Sequence, residues 1–343
     1  MPHRTFMSFI WPSALAMILF IALPIVSVGL QSLYIAHEQV IETVENCGPF
    51  GCKAVEVVNA EATAQLRSDE PLGRFNGLGT YTNRNHLAFG EIGTAWHESS
   101  GLGDFADRVL NLPFYKALAF TLTYTFVVTP LVIIFGFVIA LVVNRIPGMC
   151  KGPTIFVSLL PMIVTPLIGS LVLFWMIDSK GIIGATLQIL FEDPDLSLKA
   201  STALTWITLI VYGVWHSAPF AFVVFYAGLQ TVPQDTLESA MIDGASRWQR
   251  VRHVVIPHLM PLAVFVTLIQ LMDNFRVFEP IVGFNAQANA TSLSWIIYND
   301  LRGSDGAMLF GSAAATSMLT IVGVCILLAP VVLRTWRANR RAA

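Results

Sequence analysis

Residues 238–257 read ESAMIDGASRWQRVRHVVIP, a polar and basic stretch of helical pattern between two long apolar runs. Just upstream, Pro233-Gln234-Asp235 form a helix start, with Asp235 where the positive end of the helix dipole favours a carboxylate. Thr236 to Ile242 continue that helix and put Leu237, Ala240 and Met241 on one side. Gly244 permits a left-handed exit. Ser246 caps a second helix from Arg247 to about Val255, and Pro257 is expected to break it and begin the next apolar span. Ser239, Ala240 and Ala245 are small and cluster near the bend, so a partner can approach closely. The residues alone leave two readings open. One is a docking surface for a protein in the aqueous phase. The other is an amphipathic hairpin on lipid headgroups, with Arg247, Arg250 and Arg252 snorkelling.

The flanking runs define the rest of the chain. It has 343 residues, 55% hydrophobic and only 12% charged, where a soluble protein carries about twice that charge. Six runs are long enough to cross a bilayer: about 9–33, 117–143, 154–176, 204–229, 259–282 and 309–333. In lipid they must be helices, because an open strand leaves its backbone unpaired. The predicted fold class is therefore all-α, a polytopic membrane protein of six transmembrane helices. Arg4, then Arg145 and Lys151, then Arg247, Arg250 and Arg252, then Arg334, Arg337, Arg340 and Arg341 fall in alternate connections. The positive-inside rule puts these, with both termini and the 230–258 loop, in the cytoplasm. Four regions result: a tail and first span over 1–33, an outer segment over 34–112, a core of five spans over 113–335, and a basic tail over 336–343. The first span reads as an uncleaved anchor, kinked at Pro24.

The outer segment has turn signals at Gly48-Pro49, Pro71-Leu72-Gly73 and Gly77-Leu78-Gly79 and is long enough to hold a small folded cap. Cys47 and Cys52 sit together there. A disulfide closing their turn and a pair of free thiols are both open. Cys150 and Cys325 read as plain small residues. The sequence has no phosphate-cradling Gly-x-x-x-x-Gly-Lys-Ser/Thr, no His-Glu-x-x-His, no Gly-x-Ser-x-Gly and no Cys-x-x-Cys. No metal site and no nucleic-acid partner are expected, and the chain does not read as an enzyme on its own.

Polar residues inside spans usually face a cavity or a partner helix, because facing lipid is costly. Thr165 lies beside Pro166. His216, Ser217 and Phe220 lie in the fourth span, with His216 and Phe220 four apart. Gln270 and Asn274 in the fifth are also four apart and share a face. Amides and hydroxyls with an aromatic face suit a sugar. The other reading is that these groups bond their own helices together. Asp273, Arg276 and Glu279 sit three apart and read as mutually neutralising near the outer rim.

Glu238-Ser239-Ala240, Gly244, Val254 and Ile256-Pro257 resemble the EAA loop of permease subunits of type I binding-protein-dependent ABC importers. The spacing agrees throughout, with Ser239, Val254 and Ile256 as conservative departures. Asn144-Arg145, Lys151-Gly152, Leu160-Pro161 with Pro166, and Phe275-Arg276-Val277-Phe278 extend the resemblance over about 105–335. It is similar above all to maltose/trehalose-type sugar permeases. The resemblance implies a MetI-like permease fold in a bacterial inner membrane, half of a translocation pathway. Implied partners are a second permease subunit, an ABC ATPase dimer that binds the ATP and Mg, an extracytoplasmic sugar-binding protein, a small-molecule sugar and membrane lipid. It also implies that the loop is a coupling helix. Glu238 would tie it to the ATPase, Gly244 would bend it, and Ser239, Ala240, Asp243, Ala245 and Pro257 would shape the contact. Positions aligning with His216, Ser217, Phe220, Gln270, Asn274 and Val277 would touch substrate. An ion-coupled secondary transporter, with Asp273 and Arg276 as coupling groups, is the alternative.

Overall fold

The computed structural model describes the backbone of residues 2–37, 40–48, 51–303 and 308–342. The N-terminal part of the chain holds α1 (Phe6–Gln31), β1 (Tyr34–Ile35), β2 (Ile41–Gly48), β3 (Gly51–Val58), α2 (Ala60–Asp69), β4 (Arg74–Phe75), α3 (Phe89–Glu98) and α4 (Leu102–Leu110). Then follow α5 (Pro113–Arg145), α6 (Gly148–Ile163), α7 (Pro166–Met176), α8 (Ile182–Leu190), α9 (Thr202–Leu229) and α10 (Gln234–Ile242). The chain finishes with α11 (Arg247–Phe275), α12 (Glu279–Gly283), α13 (Leu293–Arg302) and α14 (Phe310–Ala342).

Among the described residues, α1, α5, α9, α11 and α14 are each long and apolar enough to span a bilayer. The span expected over 154–176 is a bent pair: α6 and α7 meet at an angle of 95°. Pro166 is the cause. Its ring disfavours helical backbone in the residue before it, and Val164 (ψ 129°) and Thr165 (ψ 142°) are both extended.

The span expected over 259–282 is corrected at both ends. Pro257 does not break the helix. A widened π turn over Val251–Val255 precedes it, with the Ile256 N–H donating to the Val251 carbonyl. Slackening the hydrogen-bond ladder there lets the proline ring enter without ending the helix. The same device stands in α1, where a π turn over Ile18–Ala22 comes just before Pro24. At the other end α11 stops at Phe275, and the chain turns at Arg276 into α12.

The chain forms two compact units. The first comprises residues 1–116 and 296–322. Helix α1 is apolar all round and its apolar stretch is unburied, a surface for lipid or another chain. Beyond it, β1 pairs antiparallel with β4, and β2 with β3. The hairpin sets the backbone of Cys47 opposite that of Cys52. The side chains of these two cysteines, and so the disulfide expectation, lie outside the described residues. His86 is fully buried. Its Nδ1 lies 2.8 Å from Asn83 Oδ1, and its Nε2 lies 3.1 Å from both the Ser312 carbonyl and Thr316 Oγ1.

The second unit comprises residues 117–295 and 323–343. Its core is centred on α9. Tyr212, Phe222 and Phe225 pack with Phe120, Tyr124 and Val128 of α5 and with Val255, Leu259 and Val266 of α11. Lipid tails are as apolar as these side chains, so close packing and helix-to-helix hydrogen bonds hold the unit together.

Candidate functional site

A cavity of about 610 Å³ opens within the second unit. Helix α9 contributes Tyr212, His216, Ser217 and Phe220; α11 contributes Gln270, Asp273 and Asn274; and the turn after it contributes Arg276, Val277 and Glu279. Six of the seven residues singled out for the pathway therefore lie along one wall system. The seventh, Thr165, precedes the start of α7 and is exposed beside the cavity, whose lining there is Met162 and Pro166.

The break between α6 and α7 is held from α9. Tyr212 donates its hydroxyl to the Pro166 carbonyl at 2.7 Å, and His216 Nε2 lies 3.3 Å from the Val164 carbonyl. A carbonyl only accepts, so Nε2 carries a proton. The two rings stack with centroids 5.9 Å apart. Irregular backbone at membrane depth is tolerated where protein satisfies it, and these side chains supply the partners. His216 thus has a structural task as well as a place in the cavity wall.

Gln270 and Asn274 are almost fully buried. Asn274 Nδ2 donates to Thr129 Oγ1 at 3.0 Å and lies 3.5 Å from Gln270 Oε1. One amide hydrogen position is thus spent tying α11 to α5, while both side chains still line the cavity. Arg276 Nη2 pairs with Asp273 Oδ1 at 3.1 Å. Glu279 forms no ion pair among the described residues and is exposed to the cavity. The expected three-way neutralisation is corrected, because the helix ends at Phe275 and Glu279 leaves the row of Asp273 and Arg276.

Sequence reasoning missed Tyr124, a fully buried tyrosine of α5 that also lines the cavity. Its hydroxyl lies against Gly213, where a Cβ would overlap it. Glycine inside a span, one turn before His216, was the available signal.

The polar loop forms an elbow. Helix α10 starts at Gln234, just after Pro233, with Asp235 in its first turn. Gly244 adopts φ +78°. Ser246 caps α11 through a reciprocal pair: Gln249 N–H donates to Ser246 Oγ, and the Ser246 N–H donates to Gln249 Oε1 at 2.7 Å. Glu238, Ser239, Asp243 and Pro257 are exposed, and Ala240 and Ala245 are half-buried at the bend. The tip also exposes Met241, Ile242 (87%) and Trp248 (66%).

Residues 99–336 match the family of binding-protein-dependent transport system inner membrane components. A trehalose/maltose transport system permease protein of Thermococcus litoralis is 30% identical over 221 residues, 63% of this chain and 72% of that protein. A trehalose transport system permease protein of Mycobacterium tuberculosis is 29% identical over 202 residues, 59% and 64% of the two chains. In fold, the chain is similar to the crystal structure of a bacterial ABC transporter involved in the import of the acidic polysaccharide alginate. The TM-score is 0.59 at 21% identity, covering 73% of this chain and 88% of that one. With the elbow, the apolar spans and the cavity in place, the chain belongs to the family of binding-protein-dependent transport system inner membrane components.

Proposed function

We propose that this chain is a permease subunit of an ATP-driven sugar importer. It forms half of the pathway beside a second permease subunit, takes substrate from an extracytoplasmic binding protein, and couples to an ABC ATPase dimer that carries the ATP and Mg. The chain itself hydrolyses nothing in this reading. Both termini and the elbow lie in the cytoplasm of a bacterial inner membrane, on the side marked by the arginines.

The observation that carries this reading is the continuity of α11. The elbow cap at Ser246 and the cavity amides Gln270 and Asn274 belong to one helix. Force applied at the elbow by a closing ATPase is delivered along it to the cavity wall, which gives a physical route to alternating access. Relatives named for trehalose and maltose transport support a sugar as cargo, and so do the amide, hydroxyl and aromatic groups in the wall.

The charges refine the class. Asp273 and Glu279 against Arg276 leave the lining one net negative charge, and Arg276 is already paired. A neutral sugar or polyol suits this wall better than a phosphorylated one. The same pairing, together with the family, gives the ion-coupled alternative no support.

Uptake of labelled trehalose and maltose by the assembled transporter in proteoliposomes tests the reading. Transport that needs ATP and the binding protein, and that is lost on Glu238→Lys, supports it. Uptake driven by an ion gradient without nucleotide overturns it.

A further inference from the structure

We propose that the crevice where α5 and α9 end beside the elbow binds the phosphate of an anionic phospholipid. This crevice, of about 470 Å³, is separate from the transport cavity. Its polar wall carries Arg145, Arg247 and Arg250, and no carboxylate lines it. None of the three arginines forms an ion pair among the described residues. Arg250 Nε is buried and meets no hydrogen-bond partner among the described residues. A buried donor left unpaired is destabilising, and such a group calls for an explanation. Three guanidiniums lining one crevice, with no ion pair among the described residues, repel one another and attract an anion. Phosphate oxygens suit their forked donors.

The apolar part of the lining points to the source of that anion. Leu141, Leu229 and Val255 line the same crevice as the arginines. Leu141 and Leu229 lie close to the C-terminal ends of their helices, where a span is expected to meet headgroups. Apolar and cationic groups lining one crevice match one molecule that carries a phosphate and an acyl chain. A zwitterionic headgroup would bring its own cation against the arginines, so the fit is to a lipid of net negative charge. Basic pockets between span ends are a known form of such recognition. An acidic side chain of the ATPase would satisfy the arginines but not the apolar lining. The placement at headgroup level rests on the elbow being membrane-proximal in the family fold, not on the nature of the cargo.

The test uses the assembled transporter, ATPase included, extracted from nanodiscs of phosphatidylglycerol and phosphatidylcholine and weighed intact by native mass spectrometry. Retention of phosphatidylglycerol over phosphatidylcholine is expected. It should fall about tenfold in Arg250→Leu and in Leu229→Trp, which fills the crevice while keeping every arginine. If Arg250→Leu fails to assemble, Leu229→Trp alone decides. Equal retention of both lipids, or unchanged phosphatidylglycerol retention in Leu229→Trp, overturns the proposal. So does release of the bound lipid by millimolar inorganic phosphate with no loss of stability, which would mark a soluble-anion site. Loss of the ATPase from Arg250→Leu while lipid stays bound would assign the arginines to the motor interface and also overturn it. Sugar uptake measured on the same samples keeps this outcome distinct from failure of the transport reading.

Discussion

Ser246, which caps the elbow's second helix, and Asn274, which lines the transport cavity, stand near opposite ends of one unbroken helix, Arg247–Phe275. At about 1.5 Å per residue the helix is on the order of 40 Å long. On the proposed function, its continuity is what carries an event at the elbow to the cavity. The account predicts that softening this rod uncouples the two ends. Replacing His258 and Met260, both exposed, by glycine costs about 1 kcal/mol each in helix propensity. The expected result is substrate-stimulated ATP hydrolysis reduced severalfold with the complex still assembled, read by steady-state ATPase assay and size-exclusion chromatography.

Gly244 tests the elbow itself. At φ +78° an alanine is strained by about 1–2 kcal/mol. Nothing lies within 4 Å of a Cβ built there, so the penalty is purely conformational. Gly244→Ala should weaken coupling, Gly244→Pro should abolish it, and Gly244→Asn should retain most of it, because asparagine tolerates the left-handed region. Equal transport by the alanine and proline variants would contradict this.

The broken span predicts its own signature. Tyr212→Phe removes the donor to the Pro166 carbonyl at the break. Such helix-to-helix bonds in membranes contribute about 1 kcal/mol. Thermal unfolding in detergent should show a loss of that size. Cysteine labelling at Thr165, beside the break, should become faster. Unchanged stability and labelling would mean that the α6–α7 turn is held by packing alone.

The segment over 34–112 is tied to residues 312 and 316 by the buried His86, a titratable group. Burial holds its imidazole below the ordinary value of 6.5, against smaller opposing effects from the Ser312 carbonyl and Asp300. A folded-state value below the unfolded one means that the unfolded chain binds more protons in that window. Stability from this site is therefore full above about pH 6.5 and lost as pH falls through the lowered value. Asp300 opposes this at lower pH, because burial raises its carboxyl above 3.8 and the buried anion costs stability once ionised. Melting temperature should drop on acidification below pH 6.5, and His86→Gln should flatten that slope. A slope unchanged in the variant would assign the acid sensitivity elsewhere.

Much of this was legible because it is local. The elbow was readable to the residue: Asp235 in a first turn, Gly244 at the bend and Ser246 as a cap are signals with a short-range physical cause. Apolar run length likewise placed five long helices. What failed was what depends on the backbone's response to proline. Pro166 and Pro257 look alike as helix breakers, yet one bends the chain by 95° and the other is absorbed by a π turn. The difference lies in the turn before each, which propensity does not encode. Spacing also misplaced Glu279. Three-residue intervals imply a shared helix face only while the helix continues, and it stops at Phe275. The hairpin over 41–58 was not anticipated, since its strands carry little alternation.

The cavity charge gives a substrate prediction. With Arg276 occupied by Asp273, Glu279 is the charge an incoming ligand meets. Glu279→Gln should leave uptake of a neutral disaccharide within a few-fold and raise uptake of its phosphorylated analogue wherever the binding protein delivers both. Competition transport assays read this directly, and a variant that gains nothing for the phosphorylated sugar would place the charge filter elsewhere.

The central claim is that the elbow seats in a nucleotide-hydrolysing partner. Its most direct test is a thiol-to-amine cross-linker on Ser239→Cys in the assembled transporter, with the parent chain controlling for its own four cysteines. The account predicts a new covalent product containing this chain and the ATPase subunit. A product containing only phospholipid, with the ATPase untouched, would contradict it.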